Sequence, residues 1–324
     1  MKNRCYDSAF TLLGFALLVA LGGYLLISLS HTSSAAYYDS TPIESRVNVT
    51  NSAPVVSQVI LYESDDGSQA SIDLEQGTTE NLTCNATVDD LNGWEDIVGV
   101  NATIYDSDTH NSSSVDDKNF KYFTSSCTNE TINTSALEFS CVFFVWYYAN
   151  NATWNCNVSA IDAVNASDTE VDATPPIINK LVALNLSANL IDFDELAPGA
   201  TTQDVDEPIV NVTNTGNSNF NLSVDGFGTI NGDGLAMNCT SGNISIEMIH
   251  YNYTDDQNYD TSMWNLSDDQ LPAGIPGLSI LQRVDDNDDK KINSTNSTYW
   301  KLRIPVGSAR GFCNGTVTFS AVVE

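Results

Sequence analysis

The chain has 324 residues, enough for about two domains at ~100–200 residues each. It carries 12 Lys+Arg against 42 Asp+Glu, a formal charge of −30, which argues against a nucleic-acid partner because phosphates would be repelled. Aspartate outnumbers glutamate, which suits turns and oxygen-ligand loops better than helix surfaces. Such a surface fits a medium rich in salt or divalent cations.

The first element is a cytoplasmic stub, residues 1–8, with Lys2, Arg4 and a free thiol at Cys5. Ala9 to Leu29 is apolar and uncharged, close to the ~20 residues that span a bilayer. It is read as a signal-anchor transmembrane helix over 9–30. No basic residue follows until Arg46, so the N-terminus stays inside and the body lies outside. The competing reading is a secretory signal cleaved at the small residues Ser33-Ser34-Ala35, which would release the body. A stalk, 31–53, leads to the body. No second apolar span or sorting tail is expected, and the chain closes on the strand-like "GTVTFSAVVE".

Asn-x-Ser/Thr occurs at Asn48, Asn81, Asn85, Asn101, Asn111, Asn129, Asn133, Asn151, Asn157, Asn165, Asn185, Asn211, Asn221, Asn238, Asn243, Asn252, Asn265, Asn293, Asn296 and Asn314. Chance in a chain of this composition gives about six or seven such sequons. The excess, absent from the first 47 residues, points to an N-glycosylated exterior. The other six cysteines fall as four in one region (Cys84, Cys127, Cys141, Cys156) and two in another (Cys239, Cys313). Even numbers in exported blocks suggest disulfides in an oxidising space. Thiolate–zinc sites are disfavoured because there is no C-x-x-C and only three histidines.

In the body, short runs alternate apolar and polar residues. Leu82, Cys84, Ala86 and Val88 share one parity against Asn81 and Asn85; Val98, Val100, Ala102 and Ile104 alternate against Asn101. Trp154, Cys156, Val158 and Ala160 alternate against Asn155 and Asn157, and Phe220, Leu222 and Val224 against Asn221. Cys313, Gly315, Val317, Phe319 and Ala321 share a last parity. Period two between Gly, Asp and Asn turns predicts antiparallel sheets with one wet face, where the sequon asparagines lie. "APVVSQVILY" (53–62) and "PPIINKLVAL" (175–184) begin similar stretches, an internal repeat of about 121 residues. The chain therefore reads as all-β, with tandem sandwich domains at 54–172 and 173–324 joined through "VDATPPI".

The segments "DDLNGWEDIVGVNATIYD" (89–106), "CVFFVWYYANNATWNCNVSAID" (141–162), "VNVTNTGNSNFNLSV" (210–224) and "CNGTVTFSAV" (313–322) resemble those of archaeal cell-surface proteins with tandem immunoglobulin-like domains. The resemblance implies two Ig-like β-sandwiches, a glycosylated surface location, and a binding or scaffolding role; it carries over no catalytic residue. In Ig-like sandwiches an aromatic residue often stands two positions before the second core cysteine. Trp154 and Cys156 have that spacing, which favours an inter-sheet bridge Cys84–Cys156 and leaves Cys127–Cys141 as a staple of neighbouring strands. Trp94 is a loose candidate for the core tryptophan. The four cysteines still allow three pairings.

Two local features invite a functional reading. In "RVDDNDDKKINST", Asp285, Asn287 and Asp289 match positions 1, 3 and 5 of a calcium loop, with Ile292 at the hydrophobic position. Lys290 replaces the turn glycine and Asn296 the final carboxylate, so the alternative is a solvated acidic turn. If Cys141 faces inward, then Val142, Phe144, Trp146 and Tyr148 form an outward row. Such a row is either covered by another element or is a contact face for glycan or protein. Catalysis is not expected: His31, His110 and His250 are scattered, no carboxylate pair stands out, and no blue-copper ligands surround Cys313. No cofactor is expected beyond calcium.

The expected role is a non-enzymatic, membrane-anchored surface protein for adhesion or structure. One alternative is a recognition module using the row at Phe144, Trp146 and Tyr148. The other is an extracellular filament subunit joined by strand exchange, for which the stalk is a poor donor because it is short and carries a sequon.

Overall fold

The computed structural model describes residues 41–267, 278–284 and 294–323. The stub, the apolar run Ala9–Leu29 and the cleavage motif lie outside the described residues. No helix among the described residues is long and apolar enough to cross a membrane. Residues 41–49, the described part of a first unit, carry no helix or strand and are exposed. Thr50–Glu324 forms the second unit.

Ten strands build the first part of that unit: β1 Val55–Glu63, β2 Ser71–Ile72, β3 Thr79–Asp89, β4 Ile97–Asp106, β5 Lys121–Thr124, β6 Cys127–Thr131, β7 Ala136–Trp146, β8 Trp154–Asp162, β9 Ser167–Val171 and β10 Ile177–Ile178. One sheet has the order β1-β3-β7-β6 and the other β5-β4-β8-β9. In immunoglobulin lettering these are A-B-E-D and C′-C-F-G, so the first sandwich has an Ig-like strand order. Alternation explains its core. Leu82, Cys84, Ala86 and Val88 from β3 meet Trp154, Cys156, Val158 and Ala160 from β8, each at most 2% exposed. Trp94 lies in a 3₁₀ turn before β4 and packs half-buried against this cluster.

Two expectations fail here for identifiable reasons. Val98 is 62% exposed because a register shift between Ile97 and Gly99 breaks the alternation of β4. Of the segment 175–184, expected to open the second domain, residues 177 and 178 join the first sandwich instead, whereas Val182 and Leu184 pack against the second core. β10 pairs with β2, the one parallel ladder among the described strands, and Ile178 is fully buried in the first core. A prolyl-flanked segment is thus recruited by a distant two-residue strand, and the sequence repeat does not mark equivalent first strands.

The second sandwich uses β11 Leu184–Leu186, β12 Ile209–Asn214, β13 Phe220–Phe227, β14 Leu235–Ser245, β15 Ile249–Asn252, β16 Trp264–Asn265, β17 Ser279–Ile280, β18 Thr295–Leu302, β19 Ala309–Asn314 and β20 Thr316–Val322. A five-stranded sheet, β11-β12-β18-β15-β16, faces a three-stranded one, β17-β13-β20, with β14-β19 as a separate ladder. Its core holds Phe220, Leu222 and Val224 of β13 and Trp300 and Leu302 of β18. Val317, Phe319 and Ala321 of β20 are only half-buried against it.

Candidate functional site

The row on β7 begins as the alternation predicts. Cys141, Phe143, Val145 and Tyr147 are buried, whereas Val142, Phe144 and Trp146 are exposed by 41%, 64% and 37%. β7 ends at Trp146, so the alternation stops before Tyr148. Tyr148 is 2% exposed, stands edge-on to Tyr147 at 5.1 Å, and lies under the Arg283 guanidinium, 4.6 Å from the ring centroid. Its carbonyl accepts bonds from Asn119 Nδ2 at 2.8 Å and Gln282 Nε2 at 2.6 Å. The segment following β17 therefore covers Tyr148, and the outward face is corrected to Val142, Phe144 and Trp146. Trp146 stacks on Tyr148, ring centroids 5.9 Å apart.

The neighbours of that row are sequon residues. Across the β3–β7 ladder Phe144 stands opposite Asn81, Val142 opposite Thr83 and Ser140 opposite Asn85. Directly opposed side chains share a face, with Cβ atoms about 4.5–5.5 Å apart. Of the twenty sequon asparagines, those on turns and strand ends, such as Asn111, Asn133, Asn151 and Asn165, are exposed. Strand residues Asn85, Asn101, Asn157, Asn211 and Asn221 are half-buried on the outer parity. Asn252 departs from the expectation. It is 5% exposed, Nδ2 donates to the Ser262 carbonyl at 2.7 Å, and Oδ1 accepts the Thr254 N–H at 2.9 Å. β15, flanked by β16 and β18, is buried at all four positions, leaving no wet parity for a sugar. Asn293 and the calcium-loop residues Asp285, Asn287, Asp289 and Ile292 lie outside the described residues.

Three disulfides form, Cys84–Cys156, Cys127–Cys141 and Cys239–Cys313. The first joins β3 to β8 across the sandwich. Trp154 stands two residues before Cys156, and its Nε1 donates to the Asn150 carbonyl at 2.9 Å. This occupies the place of the tyrosine corner of Ig domains, an aromatic bonded to backbone a few residues upstream.

Among the described residues, acidic groups gather in three places. Glu63, Asp65 and Glu80 form one group; burial raises the Glu63 and Glu80 carboxyls, against an N–H donated by Asp73 and Asn81 respectively. Asp204, Glu207 and Asp256 form another, around the buried Lys301, which bonds Asp204 and lies 4.0 Å from Glu207. Burial pushes Glu207 up to about 7; Lys301 opposes this, and the neighbouring aspartates reinforce it. Asp90, Asp96 and Asp162 form the third, with no basic side chain among the described residues bonded to them. Both described histidines are held structurally. His110 stacks on Phe120 at 3.7 Å, and buried His250 stacks on Tyr259 at 3.8 Å and bonds the Tyr259 and Glu247 carbonyls. A groove of about 540 Å³ opens beside Trp94, Ile97, Leu137 and Phe139, flanked by the sequon residues Asn101 and Asn129. Among its described lining residues Glu95 is the one ionisable side chain.

The molecule is thus defined as a pair of disulfide-bonded β-sandwiches, the first with Ig-like strand order. No protein-family model matches the chain, and no curated protein matches it. Among solved structures it is similar to a marsupial T cell receptor, at 10% identity and a TM-score of 0.23, over 84% of this chain and 98% of that one. A DUF4466 family protein from Parabacteroides merdae matches at 8% identity and a TM-score of 0.21, over 79% of this chain and 100% of that one. Scores of this size carry no argument about architecture, which rests on the strand order above.

Proposed function

We propose that this is a non-enzymatic, N-glycosylated cell-surface protein with a structural or adhesive role, held to the membrane by Ala9–Leu29. The observation that carries the reading is the division of strand parity: Leu82, Cys84 and Ala86 fill the core while Asn81 and Asn85 look outward. Glycans on such positions coat the outer faces of the sheets without disturbing the core, and the disulfides suit an oxidising exterior. Negative charge adds hydration and mutual repulsion. Mapping glycopeptides from protease-shaved intact cells tests this. Glycans are expected at Asn81, Asn85 and Asn101, with none at buried Asn252. Recovery of an unglycosylated protein from the cell interior would overturn the proposal.

Recognition through the β7 row is the second reading, favoured by the exposure of Phe144. A glycan on Asn81 would lie against that ring and close part of the face. Glycosylation at Asn81 therefore favours the structural role, and an unmodified Asn81 favours contact.

A further inference from the structure

We propose that Asp90, Asp96 and Asp162 form a calcium site that locks two loops of the first sandwich to residues 51 and 52. One carboxylate oxygen from each aspartate lies within 4.8 Å of those of the other two. Asp90 follows β3, Asp96 precedes β4, and Asp162 ends β8, so the sheets bring together acids from distant parts of the sequence. Gly93, at φ 115°, turns the chain so that Asp90 and Asp96 close on each other.

A second observation points to a ligand. Asp90 is 1% exposed, its Oδ1 accepts the Asn92 N–H at 2.8 Å, and its Oδ2 is buried with no hydrogen-bond partner among the described residues. A buried anionic oxygen without a partner is costly unless a cation meets it. Asp162 is fixed in place by its own donors: Asn51 Nδ2 bonds Oδ2 at 2.7 Å, and the Val164 and Ala166 N–H groups bond Oδ1 at 3.0 and 2.7 Å. The contrast with Asp204, Glu207 and Asp256 is instructive, because Lys301 already supplies a positive charge there.

The donor set is carboxylate oxygen alone, which selects a hard cation and disfavours zinc or copper. Calcium accepts an irregular set of carboxylates, carbonyls and waters, whereas magnesium demands a near-ideal octahedron. The loops around the site are already joined: the Ala163 N–H donates to the Asp96 carbonyl at 3.0 Å, Asn51 Nδ2 to Asp162 Oδ2 at 2.7 Å, and the Ser52 N–H to Asn92 Oδ1 at 2.7 Å. An ion there would fix where the chain enters the sandwich.

The test uses the full chain in detergent, stripped of metal with EGTA, and terbium as a luminescent stand-in for calcium, excited through Trp94 in the same loop. Terbium emission should saturate and be competed away by calcium but not by equal magnesium. Calcium should raise the melting temperature. Asp96→Asn should weaken terbium binding about tenfold or more and abolish the calcium-induced rise, while melting in EGTA no lower than wild type, since one repelling charge is gone. Asp289→Asn, in the acidic stretch 285–289 of the sequence, should leave emission unchanged. Emission that survives Asp96→Asn, or that Asp289→Asn removes, would overturn the proposal. So would the absence of terbium binding, or an Asp96→Asn protein already destabilised in EGTA.

Discussion

The two sandwiches use long-range disulfides in different ways. Cys84–Cys156 joins opposite sheets through the centre of the first core, with both cysteines fully buried. Cys239–Cys313 joins residues directly opposite on neighbouring strands, β14 and β19, and both are half-buried. The sequence separations are nearly equal, 72 and 74 residues. Chain entropy therefore gives the two bridges similar weight, about 4 kcal/mol each. What differs is packing: the first bridge is also part of a core, and the second staples a ladder at its margin.

Replacing each bridge by alanines measures that difference and is the largest effect expected. Cys239→Ala/Cys313→Ala should cost about 4 kcal/mol by the loop argument. Cys84→Ala/Cys156→Ala should cost about 1 kcal/mol more, because removing buried sulfur leaves unfilled space. Denaturant unfolding of both double variants checks this. Equal losses would show that burial of the first bridge adds nothing to its constraint on the unfolded chain.

The second comparison is electrostatic. Asp162 in the first sandwich has a lowered carboxyl, so the stability it contributes is present above its ordinary value of 3.8 and is lost as pH falls through its still lower folded value. Glu207 in the second is raised from 4.5 to about 7. Its folded form holds the proton more tightly than the unfolded form, so stability falls as pH rises from about 4.5 to 7 and then levels. Glu207→Gln should flatten that part of the pH–stability curve while leaving the acid limb unchanged. A slope that persists between those values in Glu207→Gln would assign it to Glu63 and Glu80, whose carboxyls burial also raises.

The first sandwich was the more legible in sequence because its central strands alternate strictly. β3, β8 and the inward side of β7 follow directly from parity, and so does β13 in the second sandwich. Parity fails where geometry changes without a sequence mark. The bulge at Ile97 and Gly99 turns Val98 outward, and the end of β7 lets Tyr148 turn in under Arg283. Pairing of Ile177 and Ile178 with Ser71 and Ile72 is non-local and leaves no periodic trace. β15 carries the polar His250 and Asn252 yet is wholly buried, so its sequence gives no sign that Asn252 faces inward. The aspartates of the proposed calcium site were hidden for the same reason: Asp162 joins Asp90 and Asp96 only when β3, β4 and β8 take their places.

The smallest effect separates the two ends of the stretch that runs from β7 to β8. Trp154 is fully buried, and Trp154→Ala should cost about 3–5 kcal/mol as a large core truncation. Trp146 is 37% exposed and stacks on Tyr148, and it is not a member of the buried core cluster. Trp146→Ala should therefore cost about 1 kcal/mol, above the ±0.5 kcal/mol usual for a free surface position and well below a core loss. Melting curves of the two variants give the first readout, and attachment of the purified protein to cells gives the second. Reduced attachment at nearly native stability would identify Val142, Phe144 and Trp146 as a contact face. A Trp146→Ala protein as unstable as Trp154→Ala would mean that the row is interior packing, and the recognition reading would then have no surface to act through.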